Sequence, residues 1–309
     1  MINVKDNKTM MYTDLAVEIQ EECSGRQGEI PGVVLEQYKE DNKCIRVTKI
    51  QIKTADGAKR MGRPIGNYMT LESADKGHSI TKLPDTKLLA SYINKLLPSS
   101  AHSFLIVGLG NANMTADALG PLTIEKMAQS GMASYTSMIV PGVFAQTGME
   151  SSEIIQGIVQ QTSPDCIITI DALAARNTKR LNRTIQVTDT GINPGSGVGN
   201  HRHGLNEKSI GVPVIAIGVP TVVDAATIVN DTMFNLITAM NQSSELKTLG
   251  NTLGELNETE KYELIRELLS PNLNTMFVTP KDIDESVKRL SFTISEGLNI
   301  ALIDHNIFA

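Results

Sequence analysis

FLIVGLGNANMTADALGP, Phe104 to Pro121, is the stretch from which the rest of the chain can be read. Phe104 to Val107 is an unbroken apolar run, the pattern of a short strand buried in a parallel sheet. Gly108-Leu109-Gly110-Asn111 turns the chain sharply, and Pro121 suits the first turn of a helix. Asp117 falls on the loop between them, at the carboxyl end of the strand, where open α/β sheets keep their chemistry. A second apolar strand, Cys166 to Ile170, ends in the same way on Asp171, in CIITIDALAAR. Each aspartate is followed by Ala-Leu, so two similar strands deliver one carboxylate each to the same rim. Asp117 and Asp171 are the candidate catalytic pair.

Outward from this segment, strands and helices alternate. A helix is expected over Pro121 to Ser130, closed by Gly131, then a strand over Tyr135 to Val140 and a helix over Glu150 to Gln161. Thr184 to Val187 and Val214 to Ile217 read as further strands, and Ala225 to Met240 as a long helix. This spacing implies βαβ units: an α/β fold with a mostly parallel sheet flanked by helices. Upstream, at about 30–75, apolar residues alternate in pieces (Val33 and Leu35, Ile45 and Val47, Ile50 and Ile52), the mark of an antiparallel region. The phase slip between Val47 and Ile50 suggests a bulge, and Asp56-Gly57 a hairpin turn. Leu83 to Leu97 has helical spacing, and Leu15 to Glu22 could form a short helix. Gln242 to Asn257 is polar and reads as a loop. A C-terminal helical part is expected at about 257–305, with helices near Glu258 to Leu269 and Pro280 to Ile303.

The 309 residues can bury a substantial core, and 41% hydrophobic with 20% charged content is that of an ordinary globular protein. A net charge of −6 leaves no electrostatic footprint for nucleic acid. No apolar run reaches the ~18 residues of a membrane span, and MINVKDNKTMMYTD lacks the apolar core of a signal peptide. Cys23, Cys44 and Cys166 form no CxxC pattern and read as reduced thiols, so a cytoplasmic location is expected.

Most chemical motifs are absent. GxGxxG would need glycine where Asn113 stands, and there is no GxxxxGK[ST], HExxH or zinc-like Cys/His spacing. Ser196 fails the GxSxG elbow at its first glycine, Pro194 standing there. His78, His102 and His305 sit apart from these features, and Cys166 reads as a small buried hydrophobe. Two carboxylates in partly apolar surroundings, by contrast, suit acid–base work. Burial and mutual repulsion separate their proton affinities, so one can activate water while the other donates to the carbonyl oxygen. The bland alternative is that each caps a helix. Gly191 to Gly204, GINPGSGVGNHRHG, has five glycines, and its Gly195, Ser196, Gly197 and Asn200 suit close approach to a ligand or an extended peptide. His201, Arg202 and His203 add positive charge or potential metal ligands. Two other readings stay open. One is a metal-assisted peptidase using Asp117, Asp171 and a histidine such as His201. The other is a phosphate- or nucleotide-binding module on Gly108 to Asn113 and the Gly191 loop.

Longer motifs carry a resemblance. They are YTDLAVE (Tyr12 to Glu18), GNYMTLES (Gly66 to Ser73), VGLGN (Val107 to Asn111), DALGP (Asp117 to Pro121) and PGV (Pro141 to Val143). IDALAAR (Ile170 to Arg176), GINPGSGVGN (Gly191 to Asn200), GVPTVVDA (Gly218 to Ala225) and VTPK (Val278 to Lys281) continue them. Over nearly its whole length the chain resembles the germination (spore) protease family of spore-forming bacteria. The resemblance implies a fold similar to hydrogenase-maturation endopeptidases and a cofactor-free endopeptidase that starts breakdown of small acid-soluble spore proteins in the spore core. It also implies a homotetramer, and catalytic aspartates that fall on Asp117 and Asp171. The family is made as a zymogen that removes its own leader, cutting after an acidic residue and before a hydrophobic residue followed by alanine. Asp14-Leu15-Ala16 fits, so the resemblance implies a leader at 1–14 and a single peptidase domain at 15–309. The preferred acid three positions before Asp14 is absent, Met11 standing there. An acidic side chain calls for a cation nearby, for which Arg176, His201 and Arg202 are the candidates.

Overall fold

The computed structural model describes residues 13–27, 29–40, 44–73, 83–130, 136–193, 204–254, 260 and 276–308. Four parallel strands form its centre: β4 (Phe104–Gly108), β5 (Thr136–Ile139), β6 (Cys166–Ala175) and β8 (Val214–Asp224), in the order β5-β4-β6-β8. β4 and β6 are buried almost throughout, which is why they read as continuous apolar runs. The remaining strands extend the same sheet antiparallel: β7 (Thr184–Thr188) on β8, then β3 (Gly66–Ser73), β2 (Ile45–Ile52) and β1 (Val33–Glu40). A two-residue β9 (Phe277–Val278) pairs with the end of β8. The N-terminal antiparallel region is thus joined edge to edge with the parallel core, through β7.

Helices cover both faces. On one, Ile106, Ile168, Ile170 and Ile217 pack against α3 (Thr86–Asn94), α4 (Leu119–Gln129) and the C-terminal α10 (Ile283–Phe308). On the other, Leu105, Val107 and Ile167 meet Ile155 and Val159 of α6 (Ser151–Thr162), which follows the short α5 (Phe144–Thr147). Further along that face α1 (Ala16–Gln27) and α2 (Ala55–Met61) cover Ile50, Ile52 and Leu173. The short α7 (Glu207–Ile210) precedes β8; α8 (Ala225–Gln242) follows it and carries α9 (Lys247–Gly254). Among the described residues no helix is long and apolar enough to cross a membrane.

Several elements differ from the reading of the sequence. No bulge interrupts β2, whose pairing with β1 and β3 is continuous from Ile45 to Ile52. Its apolar phase slips because Ile45 and Val47 face one core while Ile50 and Ile52 face the other. β2 and β3 pair antiparallel as a hairpin would, but α2 joins them instead of a tight Asp56-Gly57 turn. Thr54 caps that helix, its Oγ1 accepting from the Gly57 N–H at 3.1 Å. Within the stretch read as a loop, Lys247–Gly254 is helical. Thr184–Thr188 follows β6 with only the 3-10 turn Thr178–Arg180 between them, and runs antiparallel to β8. β6 does not end on Asp171 but continues to Ala175, and β8 runs to Asp224. Gly131 and Glu258–Leu269, apart from Glu260, lie outside the described residues.

Candidate active site

The difference in length between β4 and β6 makes the site. β4 stops at Gly108, opposite Ile170, and Leu109 adds one last bond, its N–H donating to the Ile170 carbonyl at 2.8 Å. Asp171 is therefore the first β6 residue to stand clear of β4, while on its other side it pairs with Gly218 of β8. It is 6% exposed, and its Oδ1 accepts from the Ala172 N–H at 2.9 Å.

Asp117 arrives from the β4 side on a 3-10 turn, Thr115–Asp117. Gly110 has a φ of +108°, and a Cβ there would lie 2.0 Å from the Asp117 carbonyl, so this crossing requires glycine. Asp117 Oδ2 accepts from the Asn111 N–H at 2.8 Å, closing the loop on itself. The turn is also anchored on β8: Thr221, the extra residue where the β6–β8 register shifts, donates its hydroxyl to the Ala116 carbonyl at 2.6 Å. Gly120 brings α4 against both strands; a Cβ there would fall 2.3 Å from the Leu109 carbonyl and 2.6 Å from that of Ile170. Helix capping accounts for neither aspartate. The α4 N-cap is Ala118, with no side-chain cap bond, and Asp171 stands inside a strand.

A third acid lies close by. The N–H of Asp14 donates to the Ala174 carbonyl at 3.0 Å, and its Oδ2 accepts from the Ala174 N–H at 2.9 Å, three residues past Asp171 on the same strand. Gln186 of β7 donates to the Asp14 carbonyl at 3.3 Å and accepts from the Ala16 N–H at 2.8 Å. Arg63 Nη2 donates to the Thr13 carbonyl at 2.7 Å. Asp14, Gln186 and Arg63 border a small cleft of about 50 Å³ that also takes in Leu173 and Gly218, while Asp171 and Asp117 do not line it. Immediately after it Leu15, Ala16 and Val17 are fully buried.

Against this geometry the family comparison is decisive: the germination protease model matches residues 9–247 and 238–307. The chain belongs to the germination protease family. It is a hydrolase, an endopeptidase of spore germination. Among its relatives, the germination protease of Clostridium tetani is 45% identical over 307 residues, covering 94% of each chain. That of Bacillus subtilis is 36% identical over 350 residues, covering 96% of this chain and 94% of its own. A solved structure, the NiFe hydrogenase maturation protease HycI of Thermococcus kodakarensis, covers 67% of this chain and 98% of its own. Its TM-score of 0.37 and 17% identity are too slight a likeness to carry an argument.

The other residues singled out in this germination protease family member divide in two. Gly195, Ser196, Gly197, Asn200, His201 and Arg202 lie outside the described residues. Arg176 is described: it lies 3.9 Å from Glu22, and its N–H donates to Glu18 at 2.7 Å. Among the described residues no group of three or more His, Cys, Asp or Glu is placed to hold a metal ion. His305 is structural, its Nε2 3.0 Å from the Ala101 carbonyl and its ring edge-on to Phe104. Gln186 and Arg63 escaped the sequence reading. A hint lay in the alternation Thr184, Gln186, Thr188, a polar strand face that turns out to be buried; nothing local marks Arg63.

Proposed function

We propose that Asp117 and Asp171 hydrolyse the peptide bond together. The ionised carboxylate takes a proton from water as the water oxygen adds to the carbonyl carbon, and its protonated partner donates to the carbonyl oxygen. The tetrahedral diol then collapses: one hydroxyl returns its proton to the now ionised partner, the C–N bond breaks, and the departing nitrogen takes the proton that the first carboxylate removed from water. The substrates are small acid-soluble spore proteins of the spore core, cut after an acidic residue and before a hydrophobic residue followed by alanine. The chain acts as a homotetramer, without direct nucleic-acid or membrane contact. It is a zymogen that cuts itself between Asp14 and Leu15, separating a leader at 1–14 from a single peptidase domain at 15–309.

The observation that carries this reading is the pair of hydrogen bonds between Asp14 and Ala174, on the very strand that bears Asp171. An acidic residue followed by Leu-Ala is thereby held three residues along the strand from Asp171, which supports reading this segment as a bound substrate analogue. The experiment is incubation of the purified chain with an acid-soluble spore protein, beside Asp117→Asn and Asp171→Asn, with N-terminal sequencing of all products. Substrate fragments beginning with a hydrophobic residue and alanine, a chain beginning at Leu15, and neither product from either variant are expected. Turnover by the double variant at the parental rate would reject the paired-aspartate mechanism.

A further inference from the structure

We propose that the seat of Asp14 is the subsite for the acidic residue of the substrate, and that Gln186 is the donor that receives the carbonyl to be cleaved. The inference rests on the cut between Asp14 and Leu15, and adds the groups that hold the bond.

Gln186 straddles that bond. Its Oε1 accepts from the Ala16 N–H at 2.8 Å, and its Nε2 donates to the Asp14 carbonyl at 3.3 Å. The orientation of the carboxamide is fixed chemically, because a backbone N–H can only donate, so the NH₂ must face the carbonyl. Gln186 is 6% exposed, which keeps both bonds largely out of water. It stands in a cross-sheet row with Gly218 and Asp171. Residues opposite one another in a sheet share a face, so Asp171 and Gln186 project to the same side, with backbones on the order of 10 Å apart across two strand spacings. Gly218 between them contributes no side chain. When water adds to the carbonyl carbon, negative charge develops on the oxygen to which Gln186 already donates, and the bond strengthens in the transition state.

The rest of the seat suits an acid. The Ala174 N–H meets the carboxylate, the Ala174 carbonyl meets the main-chain N–H, and Arg63 meets the preceding carbonyl. Arg63 itself lines the cleft, and its Nε is buried without a protein partner among the described residues. Once Asp14 has been cut free, Ala16 still holds Gln186 Oε1, which keeps the amide N–H pair turned toward the vacated place. The acidic residue of an incoming chain can then repeat each bond of Asp14.

Two measurements test this. The first is the rate at which the full chain acquires a Leu15 N-terminus, for the parent, Gln186→Leu and Gln186→Glu, with melting curves recorded alongside. Gln186→Glu keeps an acceptor for Ala16 but presents oxygen to the carbonyl. Both variants should melt as folded proteins and process on the order of 10²- to 10³-fold more slowly, the cost of one lost donor at a developing oxyanion. Processing by folded Gln186→Leu at the parental rate or faster would mean that Gln186 merely holds the leader, and would overturn the proposal. The second uses the synthetic peptide TMMYTD, the sequence of Thr9 to Asp14, against the processed parent. It should inhibit competitively, raising KM alone, and at least tenfold less well with asparagine at its end. No inhibition, or none that depends on the acid, overturns the subsite. A new N-terminus elsewhere than Leu15, or processing by Asp171→Asn, would instead signal failure of the underlying reading.

Discussion

Replacing Arg180 with methionine tests how firmly the chain just beyond the cleft is held. Arg180 ends the 3-10 turn Thr178–Arg180 between β6 and β7, and its side chain is 9% exposed. Three carboxylates surround it: Glu72 at 2.7 Å from Nε, Glu18 at 3.3 Å from Nη1 and Glu21 at 2.6 Å from Nη2. Burial alone would pull the guanidinium pKa down, but Glu21 and Glu72 outweigh it and hold the pKa above its usual value. Glu18 and Glu72 are 2% and 12% exposed, whereas Glu21 at 50% can return to water. Glu21 therefore contributes little, about 0–1 kcal/mol. The other two would be stranded, and breaking such a buried set costs about 3–5 kcal/mol. With about 2.1 cal/mol/K of unfolding entropy per residue, a chain of this size should melt about 5–8 °C lower. Urea denaturation measures the free energy directly, and amide exchange should rise first in α1, which Glu18 ties down through the N–H groups of Arg176 and Asn177. Adding Glu18→Gln should cost less than the sum of the single changes, since the pair is coupled. Arg180→Met unfolding within about 1 kcal/mol of the parent would refute the account.

Gly120→Ala should lower both stability and activity, since its Cβ would press on the Leu109 and Ile170 carbonyls; overpacking of this kind costs about 1–3 kcal/mol. A melt beside a peptide-hydrolysis assay checks it, and an unchanged turnover number would show that α4 does not set the position of Asp117. Burial pushes the Cys166 thiol up to about 12 from 9.0, leaving on the order of a thousandfold less thiolate. An aromatic disulfide reagent should label Cys23 and Cys44 first and Cys166 only on unfolding; early labelling of Cys166 contradicts this. Burial also raises the Asp231 carboxyl, against the opposing pull of Arg176 and Lys179. A raised carboxyl favours folding in acid and opposes it as pH rises, so Asp231→Asn should raise the melting temperature at pH 7. That gain should vanish below the ordinary value of 3.8, and a lower melting temperature at pH 7 would reverse the sign of the argument.

The centre of the molecule was legible because β4, its glycine turn and Asp117 are contiguous, and because strands buried on both faces leave unmistakable apolar runs. Where the reading stopped short, tertiary contacts overrode local preference. Ala-Leu-Ala-Ala after Asp171 is a good helix former, yet it extends β6 because β8 pairs with it along its whole length. Asp56-Gly57 has the composition of a tight turn, but Thr54 one step earlier supplies a helix cap. β2 misled because one strand serves two cores, which no single period can encode. Asp117 and Asp171 could be nominated because each follows a buried apolar run and precedes Ala-Leu, although β6 itself runs on past Asp171. Gln186 could not, since its partners Asp14 and Ala16 are 172 and 170 residues away.

The chain changes character within two residues at the cleft. Upstream, Thr13 and Asp14 accept hydrogen bonds from Arg63, Ala174 and Gln186, and the Thr13 hydroxyl donates to Glu18. Downstream, Leu15, Ala16 and Val17 are sunk in a core, and Glu18 is locked to Arg180. A tethered occupant competes at an effective concentration on the order of millimolar, whatever the protein's own dilution. The proposed break between Asp14 and Leu15 would sever that tether on the side held by hydrogen bonds from the cleft. The short piece would diffuse into bulk solution while the body stayed packed as before, and the step would run in one direction.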